Sequence, residues 1–380
     1  MRILFVAMSN SIHTARWINQ LSNQGWNIHL FPSYDVGTIH KALTNVVVHN
    51  GERGRPIVPA RLELLRTKIM ANAIQKHRAK QLAMVIDTLK PDIVHSLEFQ
   101  GAGYLTYEAK KYVKERFPTW IVTNWGSDIY YFAQFPQHEK KIKALLSECN
   151  YYSCECQRDV ALARQHGFNG EVLPVLPNTG GLDLKLIQAL RQKTKTSNKK
   201  LIMLKGYQGW AGRANIGLQA LQLCRDHLEG YEIVIYSSQL QSRIAARVFH
   251  RATRIPVRFV PQGTEHSEIL KFHGQARISI GLSISDAIST SVLEAMAMGS
   301  LPVQSCTSCA DEWIQDGKTG LLVPAEDPEA IAKAIRRALS DDVLVDQAAR
   351  LNAKTIKGRL DEKIIKPQVV KLYQSIGQAS

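Results

Sequence analysis

The sequence predicts an α/β protein built on parallel β-sheets, and three observations carry the prediction. Near the N-terminus, an apolar strand over Arg2–Ala7 is followed by a helical pattern over Ala15–Asn23 and a second strand over Asn27–Pro32. Residues 277–324 repeat the order of strand, helix and strand. Such units join parallel strands, because a parallel pair needs a crossover connection. The 45% content of hydrophobic residues suits a packed core and excludes a disordered chain.

Length and composition limit the class of protein. A chain of 380 residues predicts two or three domains. No apolar run reaches the roughly 18 residues needed to cross a bilayer, and the N-terminus suits a strand better than a signal peptide. The six cysteines lack paired zinc spacing, so we expect reduced thiols in a cytoplasmic protein. The net charge of +15 favours phosphorylated ligands or an anionic membrane surface, because nucleic-acid-binding motifs are absent.

Further elements follow along the chain. We expect helices over Asp327–Ser340 and over residues 343–380. The predicted strands are Pro91–His95, Trp120–Asn124, Asn150–Cys156, Glu171–Pro174, Lys200–Lys205, Glu232–Ser237, Val257–Val260 and Leu301–Val303.

The chemistry of residues 277–324 lies where the first strand meets the helix. The run Val292–Met298 is a good helix former, and Gly299 suits its C-cap. The start of such a helix offers unpaired N–H groups and a partial positive charge, which suit a phosphate. Asp286 and Glu294 flank that start, where each would accept hydroxyl donors from a sugar. The residues expected at the helix start are Ser289, Thr290 and Ser291.

These residues resemble the signature of the retaining GT-B glycosyltransferases of family 4. Asp286 and Glu294 are separated by seven residues and followed by Ala-Met-Ala-x-Gly-x-Pro-Val. Glu312 and the run Asp316–Pro324 are also similar to the family, and the resemblance is strongest over residues 257–340. The first acid is Asp where the family pattern has Glu. The resemblance implies a GT-B architecture, in which two Rossmann-like parallel-sheet domains face a cleft.

In that architecture, the first domain presents the acceptor and the second holds the donor. We place the N-terminal domain at residues 1–177 and the C-terminal domain at residues 178–359. In GT-B folds the last helix returns to the first domain, so we expect a helix over about 360–380 to do so. The prolines and glycines of residues 173–183 are compatible with a hinge between the domains.

The family holds the donor diphosphate with cations, and this sequence offers two at loosely matching positions. Lys205 ends the strand that opens the second domain, and Arg213 closes a Gly-rich turn. A cation pair beside such a turn suits a diphosphate leaving group, although two surface cations are the alternative. Gly206 lies at the strand end, and by resemblance Gln262 and Gly263 lie near the nucleotide base.

The resemblance also assigns roles to the two acids. Glu294 is expected to bind the ribose hydroxyls and Asp286 the donor sugar; the alternatives are an exposed helix acid and a helix cap. Lys205, Arg213 and the helix start would stabilise charge developing on the diphosphate during a front-face substitution. The sequence contains no Asp-x-Asp, the usual seat of a divalent ion, so we expect no metal and no cofactor.

On the acceptor side, Trp125-Gly-Ser-Asp128 resembles the family's His-Gly-Ser-Asp loop. Trp125 stands in the place of the histidine, where it either stacks on a sugar or is buried in the fold. His13 follows the first strand, where it either contacts a ligand or lies on a surface turn. By resemblance, His13, Trp125 and Asp128 are therefore candidates for the acceptor side.

The sequence therefore predicts a retaining glycosyltransferase. It would move a sugar from a nucleotide-sugar to a glycan or a lipid-linked acceptor, in the assembly of cell-surface polysaccharide. The alternatives are a GT-B nucleotide-sugar epimerase and a catalytically silent sugar-nucleotide-binding protein. The base, sugar, acceptor, linkage, pathway and oligomeric state stay open.

A basic stretch predicts contact with a membrane. Residues 53–80 contain eight cations and one acid, Glu63, with Leu62, Leu65 and Ile69 at helical spacing. A basic amphipathic helix binds anionic lipid, so we expect a protein peripheral to the inner face of the membrane, with no nucleic-acid partner. The alternative is a helix that packs on the core and exposes a solvated basic face. The cations are Arg53, Arg55, Arg61, Arg66, Lys68, Lys76, Arg78 and Lys80.

Overall fold

The computed structural model describes residues 1–34, 37–49 and 68–379, without the side chains of residues 68–73 and 379. The chain forms two compact units. Unit 1 comprises Met1–Gly180 and Lys366–Ser380, and unit 2 comprises Gly181–Ile365. These boundaries lie a few residues beyond the predicted ones. The ends of unit 2 are joined by the backbone of Leu182, which donates to Leu360 O at 2.7 Å and accepts from Glu362 N at 3.0 Å.

The described residues of unit 1 form a seven-stranded parallel sheet in the order β3-β2-β1-β4-β5-β6-β7. This is the Rossmann order, and it reverses between β1 and β4. The strands are β1 Arg2–Ala7, β2 Asn27–Pro32, β3 Val47–Val48, β4 Ile93–Leu97, β5 Thr119–Thr123, β6 Tyr151–Ser153 and β7 Glu171–Val172.

The helices of unit 1 flank this sheet. The first begins at Ile12, earlier than the predicted Ala15, because Ser11 Oγ accepts from His13 N at 3.2 Å and caps it. His13 therefore lies in a helical turn rather than in a polar loop. The helices are α1 Ile12–Asn19, α2 Lys68–Leu89, α3 Tyr104–Lys110, α4 Ser127–Tyr130, α5 Pro136–Glu148 and α6 Gln157–Gln165.

The described residues of unit 2 form a six-stranded parallel sheet in the order β10-β9-β8-β11-β12-β13. The order again is that of a Rossmann fold and reverses between β8 and β11. The strands are β8 Leu201–Lys205, β9 Glu232–Tyr236, β10 Val257–Phe259, β11 Ala276–Gly281, β12 Leu301–Ser305 and β13 Leu321–Val323.

Helices cover both faces of this sheet, and its central strands β11 and β12 are buried along their whole length. The predicted helix over residues 343–380 is two helices, because the chain leaves the helical conformation at Leu360 and Asp361. The helices are α7 Leu184–Leu190, α8 Ala214–Leu223, α9 Leu240–Thr253, α10 His266–Gln275, α11 Thr290–Met298, α12 Pro328–Ser340, α13 Asp342–Arg359 and α14 Glu362–Ala379, whose second part belongs to unit 1.

The predicted fold class, with two parallel sheets flanked by helices, is confirmed. The apolar runs that predicted strands are buried on both faces: every residue of β4 and β11 is buried. Where the structure describes the chain, none of its helices combines the length and the apolar character needed to cross a bilayer.

Candidate functional site

The residues predicted to bind the donor lie in unit 2, at the carboxyl ends of β8 and β11. These strands are neighbours where the strand order reverses, which is where open parallel sheets bind ligands. Lys205 is the last residue of β8, and β11 ends at Gly281. Because the chain then runs into α11, Lys205 and the start of α11 meet at one edge of the sheet.

Lys205 contacts the start of α11 directly. Its Nζ donates to Ser289 Oγ at 3.1 Å, and Ser289 Oγ lies 2.9 Å from Ser291 Oγ. Ser289 occupies the N-cap position, but its side chain does not cap the helix. The first turn, which begins at Thr290, contains no acid. An ammonium beside the positive end of a helix makes this edge suitable for an anion.

Glu294 lies further along α11 and is 5% exposed. His266, at the start of α10, donates from Nε2 to Glu294 Oε1 at 2.5 Å. Sequence reasoning missed His266, because the pair is 28 residues apart. The available signal was its position just after Gln262 and Gly263, which were assigned to the nucleotide. The buried carboxylate is of the type that accepts hydroxyl donors.

Two buried rings adjoin Glu294. Burial raises the pKa of Tyr236 above its usual range, and the charge of Glu294 adds to this, while a hydrogen bond with Ser291 opposes it. Burial lowers the pKa of His273 to about 4, and His273 Nδ1 lies 2.9 Å from Ser279 Oγ. Both rings are therefore neutral near pH 7, so neither brings a compensating charge to Glu294.

Asp286 lies in the connection between β11 and α11 and is half-buried. Its Oδ1 accepts from Ala287 N at 3.0 Å. The N-cap of α11 is Ser289, so Asp286 is not the cap of that helix. Burial raises the pKa of Tyr207, and the charge of Asp286 raises it further, which places the carboxylate close to the turn after β8.

Arg213 is bound differently from Lys205. Its Nε donates to Glu326 Oε1 at 2.7 Å, and its Nη1 donates to the carbonyls of Trp210 and Gly212 at 3.2 and 2.9 Å. Glu326 is largely exposed, with 63% of its side chain accessible. These contacts use Nε and Nη1 of the guanidinium.

The remaining predicted donor residues belong to two turns. At Gly206 an added Cβ would lie 2.8 Å from Ser238 Cα, so the backbone approach there requires glycine. Gln262 and Gly263 form an exposed turn after β10, and Gly263 has φ +81°, which favours glycine. Thr264 closes that turn, with its Oγ1 donating to Pro261 O at 2.8 Å.

In unit 1, the acceptor-side residues lie after β1 and β5. The rings of His13 and Trp125 meet edge to face, with centroids 5.9 Å apart. Asp128 is buried, and its Oδ2 accepts from Trp125 N at 2.8 Å and from Phe99 N at 3.2 Å. Asp128 therefore holds the backbone of the loop that carries Trp125.

A second buried acid, Glu98, follows β4, and sequence reasoning missed it. Its φ is +76°, and its carboxylate accepts from Gly101 N at 2.8 Å and from Ala102 N at 2.5 Å, at the start of a π-helical turn over Phe99–Gly103. Burial raises the pKa of Glu98 to about 7, against these backbone N–H bonds. Burial also raises the pKa of Asp128, and the charge of Glu98 adds to that effect.

Two known protein families match the chain, one in each unit. Residues 2–155 match the description "Glycosyl transferase 4-like", and residues 188–358 match "Glycosyl transferases group 1". The phosphatidyl-myo-inositol mannosyltransferase of Mycobacterium leprae is 32% identical over 85 residues, which are 22% of this chain. That match spans only 22% of the length of the curated relative.

Solved structures share the fold over the whole chain. The sucrose-phosphate synthase of Thermosynechococcus elongatus superposes with a TM-score of 0.77 at 15% identity, covering 100% of both chains. A glycosyltransferase of Rickettsia africae gives 0.69 at 14%, covering 100% of this chain and 99% of the other. Anabaena HepE, in complex with UDP and glucose, gives 0.68 at 16%, covering 99% and 100%. At these identities the likeness shows a common GT-B fold.

Proposed function

Because the chain belongs to the GT-B glycosyltransferases of family 4, the group 1 type, we propose that it transfers a sugar from a nucleotide-sugar to an acceptor hydroxyl. One observation carries the proposal. Lys205 Nζ meets Ser289 Oγ at the start of α11, and the same helix carries the buried carboxylate of Glu294. The edge thus offers a positively charged site for a diphosphate. Further along α11, the carboxylate of Glu294 can accept hydrogen bonds from ribose hydroxyls.

The donor we propose carries a nucleoside diphosphate, and UDP is the first candidate because Anabaena HepE was solved with it. Its phosphates would lie against Lys205 and the N–H groups at the start of α11. Its ribose would bond to Glu294, displacing or sharing the contact with His266. The turn at Gln262 and Gly263 precedes α10 and would lie beside the base.

The proposed reaction exchanges one bond at the anomeric carbon. The bond from this carbon to the diphosphate oxygen breaks, and a bond to the acceptor oxygen forms on the same face, so the configuration is retained. The acceptor proton passes to the departing phosphate. Lys205 and the helix start stabilise the charge that develops there, which needs no divalent ion, and Asp286 orients the sugar. Arg213 supplies a second cation to the departing diphosphate.

The acceptor we propose is a glycan or a lipid-linked sugar, used in cell-surface polysaccharide assembly. The paired rings of His13 and Trp125 support a sugar acceptor, because an aromatic face suits the C–H surface of a carbohydrate. The name of the mycobacterial relative supports a lipid-linked acceptor. Asp128 supports the loop that carries Trp125.

One experiment separates transfer from the alternatives. The purified chain is screened by thermal shift against nucleoside diphosphates and their sugars, because a ligand raises the apparent stability. The donor that binds is then incubated with acceptor in the presence of EDTA, and the anomeric configuration of the product is read by NMR. We expect transfer with retention. Interconversion of donor sugars without acceptor would indicate an epimerase, and binding without turnover would indicate a silent binding protein.

We further propose that the protein is cytoplasmic and binds an anionic membrane surface. Most of the basic stretch predicted to do so, residues 53–67, lies outside the described residues. Helix α9 supplies another surface, on which Leu240, Ile244 and Val248 are 71%, 52% and 60% exposed at a spacing of four residues. The helix contains no acid. The exposed arginines that share this face are Arg243, Arg247 and Arg251.

Aliphatic side chains and arginines on one helix face suit the boundary between acyl chains and anionic headgroups. We expect the chain to sediment with anionic vesicles and to be released by salt, but not to sediment with neutral vesicles. Arg243→Glu with Arg247→Glu should weaken this binding about tenfold or more. Arg225→Glu, also exposed on unit 2, serves as the matched control. Unchanged sedimentation of the double variant would remove α9 from the membrane surface.

A further inference from the structure

Unit 2 contains a cavity that is separate from the edge that holds Lys205. Its volume is about 680 Å³, and it lies between α7, residues 191–199 and α13. Residues 191–199 lead into β8, so the cavity lies at the amino end of that strand. Lys205 lies at the carboxyl end. Nothing in the proposed transfer reaction uses this cavity.

Cations predominate among the charged residues that line the cavity. One acid, Asp346, faces them, and both of its oxygens are engaged by Ser197, whose N and Oγ donate at 3.0 and 2.9 Å. Among the residues that the structure describes, the lining cations form no ion pair. They are Arg191, Lys193, Lys195, Lys199 and Arg350.

Lys199 differs from the other four because it is buried, with 4% of the residue exposed. Its ammonium makes no hydrogen bond to a described residue. Burial lowers the pKa of Lys199 to about 8, and the charge of Arg191 lowers it further, against the attraction of Asp346. A lysine that is largely buried and has no anionic partner is costly to the folded state. An anion in the cavity would supply the missing partner.

We propose that this cavity binds the phosphate group of a small, soluble phosphorylated molecule. Phosphate oxygens accept charge-assisted bonds from ammonium and guanidinium groups, and the cavity is lined by Arg191 and Lys199, at the two ends of residues 191–199, and by Arg350 on α13. The cavity is larger than a phosphate, which leaves room for a sugar or a nucleoside. Val343 is the one large aliphatic side chain of the lining, so the acyl chains of a lipid gain little there.

The walls of the cavity are tied to the far end of α11. Arg191 donates from Nη1 to Ala297 O at 3.4 Å and from Nη2 to Ala349 O at 3.2 Å. Thr196 Oγ1 donates to Gly299 O at 2.7 Å. The helix that begins at the Lys205 edge therefore ends against this cavity. A phosphate bound by Arg191 would therefore compete for the guanidinium N–H groups that now hold the end of α11.

Calorimetry of the full chain with pyrophosphate tests the proposal, with inorganic phosphate and anionic vesicles as parallel probes. Lys199→Met replaces the buried ammonium by a chain of similar length and should weaken pyrophosphate binding at least about tenfold. Arg350→Gln, an exposed position that leaves the fold intact, should weaken it severalfold. Lys200→Met is the matched control, because Lys200 is the next residue, is exposed and does not line the cavity.

Lys205→Met distinguishes this cavity from the Lys205 edge, and pyrophosphate binding should survive in it. That result would support the cavity even if the proposed transferase activity failed. Pyrophosphate binding that Lys205→Met alone abolishes, or that both Lys199→Met and Arg350→Gln leave unchanged, would overturn the proposal. Binding of vesicles but not of pyrophosphate, lost in Lys199→Met, would also overturn it, since the ligand would then be a lipid headgroup.

Discussion

Two sheet edges of this protein share a strand order and differ in charge. The order reverses between β1 and β4 in unit 1 and between β8 and β11 in unit 2. The edge of unit 2 holds the ammonium of Lys205 beside the start of a nine-residue helix. The edge of unit 1 holds two buried carboxyl groups, Glu98 and Asp128, which accept backbone N–H bonds. One fold thus provides one edge suited to an anion and one edge already occupied by acidic side chains of the protein.

The difference teaches that topology selects where a ligand binds, while the segments after the strands select which ligand. In unit 1, the N–H groups of Gly101 and Ala102 are satisfied by Glu98, so a diphosphate would have to displace a carboxylate of the protein. In unit 2, Ser289 is the N-cap residue of α11, but its hydroxyl accepts from Lys205 and does not cap the helix. In unit 1, His13 and Trp125 present paired aromatic rings rather than a charged side chain beside a helix start.

The largest expected effect is that of Lys205→Met, which removes the positive charge that distinguishes the edge of unit 2 from that of unit 1. A charge-assisted bond to a phosphate is worth about 1.5–3 kcal/mol. We therefore expect UDP affinity to fall at least about tenfold, and sugar transfer by about a hundredfold, because the charge on the leaving group grows in the transition state. Calorimetry and product assay measure the two. Lys200→Met, at the other end of β8, is the control, and equal loss in both variants would contradict the role of Lys205.

Glu294→Ala tests whether the carboxylate on α11 binds the nucleoside. A carboxylate that accepts ribose hydroxyls should contribute about 1.5–3 kcal/mol, so UDP affinity should fall by roughly 10- to 100-fold. His266→Ala breaks the 2.5 Å contact with the same carboxylate and should change affinity less. UDP binding that is unchanged in Glu294→Ala would exclude Glu294 from the nucleotide site.

Asp286→Ala separates orientation of the sugar from binding of the nucleotide. We expect UDP affinity close to wild type and transfer at least about tenfold slower, a loss of about 1.4 kcal/mol of barrier stabilisation. Asp286→Glu restores the acid of the family pattern and should keep partial activity. Single-turnover kinetics measures the rate of transfer, and calorimetry with UDP measures the affinity. Transfer at the wild-type rate in Asp286→Ala would show that other groups hold the sugar.

The smallest expected effect concerns the stability of unit 1. The pKa of Glu98 rises to about 7 in the folded chain from 4.5. Between these values the folded state binds more protons than the unfolded state, so the free energy of unfolding falls as pH rises from about 5 to 7. Glu98→Gln should weaken this dependence of stability on pH. Between pH 5 and 7 the variant should lose a few degrees less in Tm than the wild type. Glu229→Gln, exposed in unit 2, is the control; a slope that survives Glu98→Gln would assign the protons elsewhere.

Much of the fold was predictable because it depends on local pattern. The helix over α11 follows from a run of helix formers and from Gly299, whose φ of +83° suits a C-cap. The parallel sheets follow from short apolar runs alternating with helical patterns. The predicted start of α1 was wrong by three residues. The apolar pattern favoured Ala15, whereas Ser11 caps the helix and it begins at Ile12.

The candidate site was predictable in part. The motif around Asp286 and Glu294 is contiguous, so its resemblance to a family was visible in the sequence. Arg213 was assigned to the diphosphate from the same resemblance, and its contact with Glu326 depends on two residues 113 positions apart. Glu98 and His266 belong to no motif of the chain. The position of His266 just after Gln262 and Gly263 was a weak signal, and its contact with Glu294 is visible only in the structure.

The sequence by itself determined the class of fold, the order of its elements and the acids and serines around α11. These depend on residues within a few positions of each other, where periodicity and capping act. Only the tertiary structure decided that Lys205 lies 3.1 Å from Ser289, that Glu98 satisfies its own turn and that Lys199 is buried without an ion pair. The reason is physical: charge pairing and desolvation depend on distance and burial, which are set by contacts between residues far apart in the chain.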